Sequence, residues 1–260
     1  MDIKELKVKT KDNEKRNHPW EMARFEVVNN LLNPYFRDKN EKKIVLDIGC
    51  GDVYFINKFY KSYPNFLPFA VDTAFTDEII AKLKTEYKTC PIQYYKDVND
   101  VDIKDNKANL IFLLDVIEHI ENDIDFLKQV LSLPYIDKDT LFLITVPAFN
   151  QLFCNHDTWL GHYRRYSKRT LREHISEAGL KEVKAGYFFF SLLLPRIIQK
   201  MVEKPTDKEN IEGIGNWDKG KLLTKTYKSI LLLDYYITKG ISKIGIKLPG
   251  LSTYIICKKN

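Results

Sequence analysis

Short apolar runs and segments with helical spacing alternate along this chain. Between His18 and Phe36, apolar side chains recur three or four positions apart, which predicts one face of a helix. The apolar run from Ile44 to Ile48 predicts a buried strand that enters a glycine turn, and helical spacing resumes to about Tyr63. The same rhythm predicts further strands over 66–72, 91–95, 108–116, 140–148, 182–190 and 251–259, with helices over 76–87, 122–133 and 168–178.

Strands that alternate with helices of these lengths are typical of a parallel sheet. The strands are continuous apolar runs rather than alternating ones, which indicates a sheet that is covered on both faces. The sequence therefore predicts an α/β fold: a doubly wound, mostly parallel, seven-stranded Rossmann-like sheet with an N-terminal helix.

The rhythm breaks over 192–247. An apolar helix is predicted over 192–202, a mobile polar loop over 202–220, and a long apolar-rich helix over 221–241. We interpret this stretch as a helical insertion before the last strand. Its apolar content, flanked by lysines, predicts packing over the functional site, a dimer interface or a membrane-facing surface, with simple packing onto the sheet as the other option.

The composition is that of a folded protein with a sizeable core. Hydrophobic residues make up 44% of the 260 residues, too many for a disordered chain, so 18–260 is expected to form a single domain after a flexible arm, 1–17. The net charge of +6 is scattered and does not imply a nucleic-acid partner. Because no signal peptide or membrane-spanning run is found, we expect a cytoplasmic protein.

The four cysteines, at positions 50, 90, 154 and 257, form no CxxC pair. Their spacing therefore suggests neither a zinc site nor a disulfide framework. We expect reduced thiols and predict no metal site.

The strongest candidate site is the glycine turn that follows the first strand. Glycines let the backbone approach a ligand closely, and in parallel sheets ligands bind at the carboxyl ends of the strands. Asp47, Asp72 and Asp97 stand at the ends of the first three predicted strands. Such carboxylates can receive an ammonium group, ribose hydroxyls and an adenine amino group, in that order. Each alone is more typical of a cap or a loop, but together they indicate a nucleoside-type cofactor.

Four segments resemble the successive motifs of class I S-adenosylmethionine-dependent methyltransferases: VLDIGCG, AVD, KDV and LLDVIEHI. The last is similar to the type 11/12 and ubiquinone-biosynthesis-like groups, and the resemblance runs from about Glu21 to Lys258. It implies the methyltransferase form of the predicted sheet and S-adenosylmethionine as the methyl donor. The donor site predicted from it consists of Asp47, Gly49, Cys50, Gly51, Asp72, Thr73, Asp97, Val98, Leu114 and Asp115.

The resemblance also implies a role for each motif. Asp47 and the glycines would hold the methionine part of the donor, Asp72 its ribose and Asp97 its adenine ring. Leu114 and Asp115 would lie on the sulfonium side.

One position departs from the family pattern. Val53 stands where the family usually has a third glycine, at the start of the following helix. A nicotinamide dehydrogenase is disfavoured, because its G-x-G-x-x-G fingerprint would need a glycine at Tyr54 and does not call for Asp47.

Histidines supply the candidate general bases. An oxygen nucleophile must lose its proton during methyl transfer, and histidine is suited to accept it near neutral pH. His119 follows the fourth predicted strand, and His156 and His162 follow the fifth. His174 falls in a predicted helix and is expected to be structural.

The two later histidines belong to the segment HDTWLGHYRRY, which resembles a bacterial group of methyltransferases often associated with polysaccharide or lipid metabolism. Arginine binds phosphate or carboxylate, and aromatic residues build pocket walls. Tyr163, Arg164, Arg165 and Tyr166 are therefore predicted to bind the acceptor. Of the two adjacent arginines, one is expected to face the pocket and the other to anchor the loop.

These patterns predict O-methylation of a small-molecule, sugar or lipid-linked acceptor, with a histidine base. Amino-methylating enzymes for adenine or glutamine carry an Asn/Asp-Pro-Pro-aromatic motif where this chain reads LLDVIEH, which disfavours those acceptors. Other RNA or protein acceptors stay open as an alternative, as does a peripheral membrane or scaffold protein on the same fold. The sequence also leaves open membrane-peripheral contact and a homodimer.

Overall fold

A computed structural model of the chain describes residues 18–38, 40–203, 217 and 219–260. The predicted arm, 1–17, and most of the predicted loop over 202–220 lie outside the described residues. The strands are β1 (Lys43–Ile48), β2 (Phe66–Val71), β3 (Gln93–Tyr95), β4 (Leu110–Leu114), β5 (Leu141–Pro147), β6 (Leu180–Phe188) and β7 (Ser252–Lys259). The α-helices are α1 (Pro19–Leu32), α2 (Tyr54–Ser62), α3 (Asp77–Glu86), α4 (Asp123–Leu131), α5 (Asn155–Leu160), α6 (Lys168–Ala178), α7 (Leu193–Val202) and α8 (Gly220–Ser242).

All seven strands join one sheet in the order β3-β2-β1-β4-β5-β7-β6. β1 pairs in parallel with both β2 and β4, and β2–β3 and β4–β5 are parallel as well. The predicted seven-stranded, mostly parallel α/β sheet is therefore confirmed. The strand order reverses direction at β1, and this is the place where such sheets bind ligands at the carboxyl ends of their strands.

The sheet is apolar on both faces. Every residue of β4 is buried, and so are the last four residues of β1. Successive side chains of a strand point to opposite faces, so both faces of these strands are covered. Phe112 of β4 meets Phe55 and Phe59 of α2 edge to face, with ring centroids 5.2 and 5.1 Å apart.

The chain divides into two compact units. The first, which we call the sheet unit, comprises 38–146, 168–185 and 254–260, and so contains most of the sheet. The second, the helical unit, comprises the described residues of 18–37, 147–167 and 186–253. The sequence-based expectation of a single domain with one insertion stays a prediction.

Within the helical unit, α1 packs against α8. The Asn30 side-chain amide donates to the Tyr236 hydroxyl over 3.1 Å, and Lys228 forms an ion pair with Glu26 at 3.2 Å. Among the described residues, no helix is both long and apolar enough to cross a membrane.

The sixth strand begins and ends earlier than its sequence pattern predicts. Gly179 has a φ of +97°, which closes α6 and lets β6 begin at once. At the other end, Phe189 has a φ of +64°, and a conformation of that kind breaks the extended backbone. The apolar run 187–190 was thus too uniform to mark where the strand stops.

Candidate active site

The glycine turn after β1 is fixed by backbone conformation and by close packing. Gly49 has a φ of +72°, and a Cβ added there would lie 2.6 Å from Cγ2 of Val116. Only glycine meets both conditions without strain. The N–H groups of Gly49 and Cys50 both donate to the Val71 carbonyl, over 2.8 and 3.2 Å, so the turn is tied to the end of β2.

Val53 occupies the place of the missing third glycine and keeps a glycine-like conformation. Its φ is +55° and its ψ is +9°, in the left-handed region, and its side chain is fully buried. For a β-branched residue this conformation is a genuine outlier, and strain of this kind clusters at functional sites. Val53 therefore holds a strained conformation of the kind that glycine adopts without strain.

Asp72, at the end of β2, uses both carboxylate oxygens to hold backbone. Its Oδ2 accepts from the Gly51 N–H over 2.8 Å, and its Oδ1 accepts from the Ala74 N–H over 2.9 Å. Each oxygen of a carboxylate can accept a second hydrogen bond. Asp72 can therefore shape the glycine turn and accept from ribose hydroxyls at the same time. Thr73, the next residue, is exposed.

Negative charge surrounds the glycine turn. Burial raises the pKa of the Cys50 thiol well above its ordinary value, and the nearby carboxylates of Asp47, Asp72 and Asp52 raise it further. Cys50 is therefore a neutral packing residue and not a nucleophile. Asp47 and Asp52 are themselves almost fully buried, so their charges favour a cationic ligand at this place.

The next predicted cofactor residues, Asp97 and Val98, lie in an ordered turn beyond β3. Asp97 is exposed, and its Oδ1 accepts from both the backbone and the side-chain nitrogen of Asn99, over 2.8 and 2.7 Å. The Tyr135 hydroxyl donates to the Val98 carbonyl over 2.8 Å. Asp97 thus caps its turn, which is the common role of such a residue, and it keeps acceptor capacity for an amino group.

The end of β4 carries a second strained residue. Asp115 has a φ of +58°; its N–H donates to the Thr145 carbonyl over 2.8 Å, and the Thr145 hydroxyl donates to its Oδ1 over 3.3 Å. Leu114 before it is buried. His119 closes the short helical turn Ile117–His119 and is partly exposed.

The sheet unit therefore gathers the predicted donor residues and His119. Two glycines and two strained residues set the backbone at the ends of β1 and β4. Because carboxylates predominate among the polar side chains here, the arrangement favours a ligand that carries positive charge and hydroxyl groups, such as an amino-acid sulfonium nucleoside.

The other candidate residues belong to the helical unit, where a buried carboxylate organises them. Asp157 is fully buried. Its Oδ1 accepts from Nδ1 of His162 over 2.9 Å and from Nε of Arg165 over 2.8 Å. Its Oδ2 accepts from the Cys154 N–H over 2.9 Å and from Arg196 over 3.1 Å.

This arrangement, which we call the Asp157 cluster, has a definite charge state. Burial alone would raise the pKa of the Asp157 carboxyl, but the hydrogen bond from His162 and the charge of Arg165 hold it well below its ordinary range. The carboxylate is therefore ionised, and it pairs with the guanidinium groups of Arg165 and Arg196. The cluster has net positive charge, as a site for an anionic group would.

His156 lies beside this cluster but in a different state. It is 6% exposed and stacks on Trp159. Burial, and then the charge of Arg196, lower its pKa from 6.5 to about 4. At neutral pH it is a neutral and weakly basic imidazole.

The substrate residues predicted from the sequence divide by burial. Arg165 and Tyr166 are buried, and the Tyr166 backbone bonds to Pro147 and Phe149, so both residues hold the segment in place. Tyr163 is 55% exposed and Arg164 partly exposed, with the guanidinium 6.0 Å from the tyrosine ring centroid. His174, expected to be structural, pairs with Asp123 over 2.7 Å.

Sequence reasoning missed several residues that shape these places: Asp52, Val116, Tyr135, Thr145 and Arg196. Val116 and Thr145 are apolar or neutral neighbours of predicted residues and carry no signal of their own. Asp157 stood in the singled-out segment, but its partner Arg196 lies in an apolar helix 39 positions away. Only Asp52, which directly follows the glycine turn, could have been found from its position.

A family model described as a methyltransferase domain matches residues 20–185. The match spans more than half of the chain and covers β1 to β5 with the glycine turn. None of the curated proteins compared with the chain matches it.

Solved structures of methyltransferases share the fold. Phosphoethanolamine N-methyltransferase 2 of Haemonchus contortus, in complex with S-adenosyl-L-methionine, is 14% identical over 89% of this chain and 52% of its own, with a TM-score of 0.53. Coclaurine N-methyltransferase bound to N-methylheliamine and S-adenosylhomocysteine is 14% identical over 90% of this chain and 72% of its own, at 0.53. An O-methyltransferase family 2 protein of Planctomyces limnophilus with apigenin is 13% identical over 84% and 51%, at 0.50. At these identities the likeness shows the fold alone.

The strained Val53 predicts an unusual response to glycine. Removing a buried valine side chain costs about 1.5–3 kcal/mol, but relief of the left-handed backbone returns about 1–2 kcal/mol. Val53→Gly should therefore lower the free energy of unfolding by about 1–2 kcal/mol less than Val101→Gly does, because Val101 is also buried but has a φ of −67°. Urea unfolding measures both, and equal losses would show that the left-handed conformation is not strained.

The role of Asp72 predicts a change in donor affinity. Asp72→Ala removes charged acceptors worth about 1.5–3 kcal/mol, so the Kd for S-adenosylhomocysteine should rise about tenfold to a hundredfold in calorimetry. Asp77→Ala, which removes a carboxylate paired with Lys96 at the start of α3, is the matched control and should leave the Kd unchanged. An unaltered Kd in Asp72→Ala would remove this residue from the donor site. NAD should not bind to the wild type.

The buried neutral His156 predicts a loss of stability in mild acid. The pKa of His156 is about 4 in the folded protein, against an ordinary value of 6.5. Between pH 4 and 6.5 the unfolded chain therefore binds a proton that the folded chain does not. The contribution to stability falls as pH drops from 6.5 to 4, by about 3 kcal/mol at most. His156→Phe should flatten this part of the unfolding profile, and comparison at pH 8 isolates the packing change. Parallel profiles of wild type and variant would refute the assignment.

Proposed function

Because the chain belongs to the methyltransferase-domain family and is an S-adenosylmethionine-dependent methyltransferase, we propose that it methylates an oxygen atom of a small-molecule, sugar or lipid-linked acceptor. We place it in the type 11/12, ubiquinone-biosynthesis-like group that carries HD…GHYRRY. We further propose that the enzyme is cytoplasmic.

The proposed donor site lies at the carboxyl ends of β1, β2 and β4. When bound, S-adenosylmethionine supplies an electrophilic methyl group on a cationic sulfonium. Asp47 receives the donor's ammonium group, Asp72 receives the ribose hydroxyls, and the turn at Asp97 and Val98 receives the adenine. The negative charge around Cys50 supports this assignment, because it complements both cationic groups of the donor.

The observation that carries the proposed chemistry is the hydrogen bond between Asp157 and His162. An ionised carboxylate can only accept, so Nδ1 of His162 donates its hydrogen and the basic lone pair is on Nε2. The buried carboxylate holds the ring in this tautomer, with Nε2 as the proton acceptor. We therefore assign His162 as the general base.

Methyl transfer to the acceptor oxygen needs no further reactant. The acceptor O–H bond breaks as Nε2 of His162 takes the proton, the oxygen forms the new bond to the methyl carbon, and the C–S bond breaks with its electron pair going to sulfur. The products are the methyl ether or ester and S-adenosylhomocysteine. The protein contributes alignment and proton removal.

The other two histidines are weaker candidates for different reasons. His156 is buried and has a pKa near 4, which makes it a poor proton acceptor at neutral pH. His119 lies in the sheet unit, in the segment LLDVIEHI that resembles the fourth methyltransferase motif. It is the second candidate for the general base.

Tyr163 and Arg164 are the proposed acceptor contacts. Their exposure leaves their side chains able to reach a ligand, whereas Arg165 and Tyr166 are used to hold the segment. The net positive charge of the Asp157 cluster supports an acceptor that carries a phosphate or carboxylate, or a polar sugar.

Labelled methyl transfer tests the acceptor class. We expect label from methyl-tritiated S-adenosylmethionine, incubated with protein and fractionated cell extract, to enter small water-soluble or organic-extractable products. Mass spectrometry of the labelled product then identifies the methylated atom. Label confined to acid-precipitated RNA or protein would refute the proposed acceptor class and favour a macromolecular substrate.

The proposed base predicts a selective loss of turnover. His162→Ala should reduce kcat about 10²–10⁴-fold, because the proton acceptor is lost, while the Kd for S-adenosylhomocysteine holds. The matched control is His174→Ala, which breaks a similar Asp–His pair between α4 and α6 and should leave kcat unchanged. Full turnover in His162→Ala would show that His162 is not the general base. His119→Ala then tests whether His119 is the base instead.

A further inference from the structure

Helix α7 exposes its apolar face and buries a charged side chain. Its apolar side chains recur three and four positions apart on one helix face, which is the pattern of a core-facing helix. In the structure this face points outward, with Met201 80% exposed and Leu194 65% exposed. The side chain turned inward is the charged Arg196, which is 6% exposed and pairs with Asp157. The remaining exposed members of the stripe are Ile197, Ile198 and Val202.

Helix α8 has the same outward apolar face. Leu222 is 79% exposed and Leu233 60% exposed, and their spacing of three turns of helix places them on one side. Ile230 and Ile237 are exposed beside them. The Ser191 N–H and hydroxyl both donate to Asp234 of α8, which fixes α8 to the turn that precedes α7.

Lysines line one edge of the α8 face. Lys221, Lys225 and Lys239 recur at helical spacing, about a quarter turn from the apolar stripe, whereas Lys228 pairs with Glu26 of α1. In the described stretches 193–203 and 219–247, the carboxylates are Glu203 and Asp234. Both are used within the unit, since Glu203 accepts from the Asn155 N–H and Asp234 accepts from Ser191. The surface is therefore apolar with a basic margin.

We propose that the outward faces of α7 and α8 dock onto an anionic phospholipid bilayer, lying at the level of its headgroups. Leucine and isoleucine side chains enter the acyl boundary, and the lysines at the margin reach phosphate groups, as interfacial helices require. Protein interfaces are depleted in lysine. A second copy would bring two basic surfaces together, which like charges oppose. This inference does not depend on the identity of the methyl acceptor.

Vesicle flotation with the full chain tests the proposal. We expect the wild type to float with phosphatidylcholine vesicles that contain phosphatidylglycerol, and to float much less with phosphatidylcholine alone. Raising the salt concentration should weaken binding, because the electrostatic part is screened.

Matched variants separate the two parts of the surface. The pair Lys221→Gln and Lys225→Gln should lower partitioning to anionic vesicles about twenty-fivefold, since each basic residue near such a surface contributes about fivefold. Met201→Asp with Leu222→Asp should abolish flotation. The controls Val183→Asp and Lys181→Gln, on exposed positions of β6, should leave it unchanged. Because the substituted side chains are exposed, circular dichroism and thermal unfolding should match the wild type.

Three results would overturn the proposal. The first is no flotation with anionic vesicles, and the second is flotation that the Met201 and Leu222 variants leave intact. The third is a concentration-dependent dimer, without vesicles, that these variants abolish, which would make the surface a contact between copies. Calorimetry with S-adenosylhomocysteine on the same proteins reports on the donor site separately, so failure of docking and failure of the proposed enzyme function are distinguishable.

Discussion

The carbonyl oxygen of Val71 holds the candidate donor site together. It accepts from two consecutive N–H groups, those of Gly49 and Cys50, and so joins the turn after β1 to the end of β2. This contact is available only if the chain turns through a positive φ at Gly49. Asp72, the residue that follows β2, then accepts from the Gly51 N–H. The place of the Asp72 carboxylate thus follows from this backbone arrangement.

A buried charge plays the corresponding part in the helical unit. Removing Asp157 from water is costly, and the cost is met because each of its oxygens accepts two hydrogen bonds. Those bonds draw together the start of α5, His162 and Arg165 from one segment, and Arg196 from α7. The need to satisfy this carboxylate turns the polar side of α7 inward. The same requirement leaves the apolar side of α7 in contact with the surroundings.

The sequence allowed the sheet and the glycine turn to be predicted because their signals are local. Strand, turn and helix at 43–62 follow one another without a gap, and Asp47, Asp72 and Asp115 each stand at a strand end. Contacts between distant segments left no such signal. The bond from Thr145 to Asp115 and the pairing of Arg196 with Asp157 depend on how strands and helices pack, which periodicity does not encode. Periodicity also predicted α7 but not the orientation of its apolar face.

Val53 and Asp115 both hold a left-handed backbone without being glycine. Each has a left-handed backbone that costs about 1–2 kcal/mol for an ordinary residue. Such conformations persist only where their surroundings impose them. At Val53 the surroundings are the Cys50 carbonyl and the first turn of α2, and at Asp115 they are the two bonds to Thr145. The hydrogen bonds of the neighbouring backbone and of Thr145 therefore hold these conformations where the donor is proposed to bind.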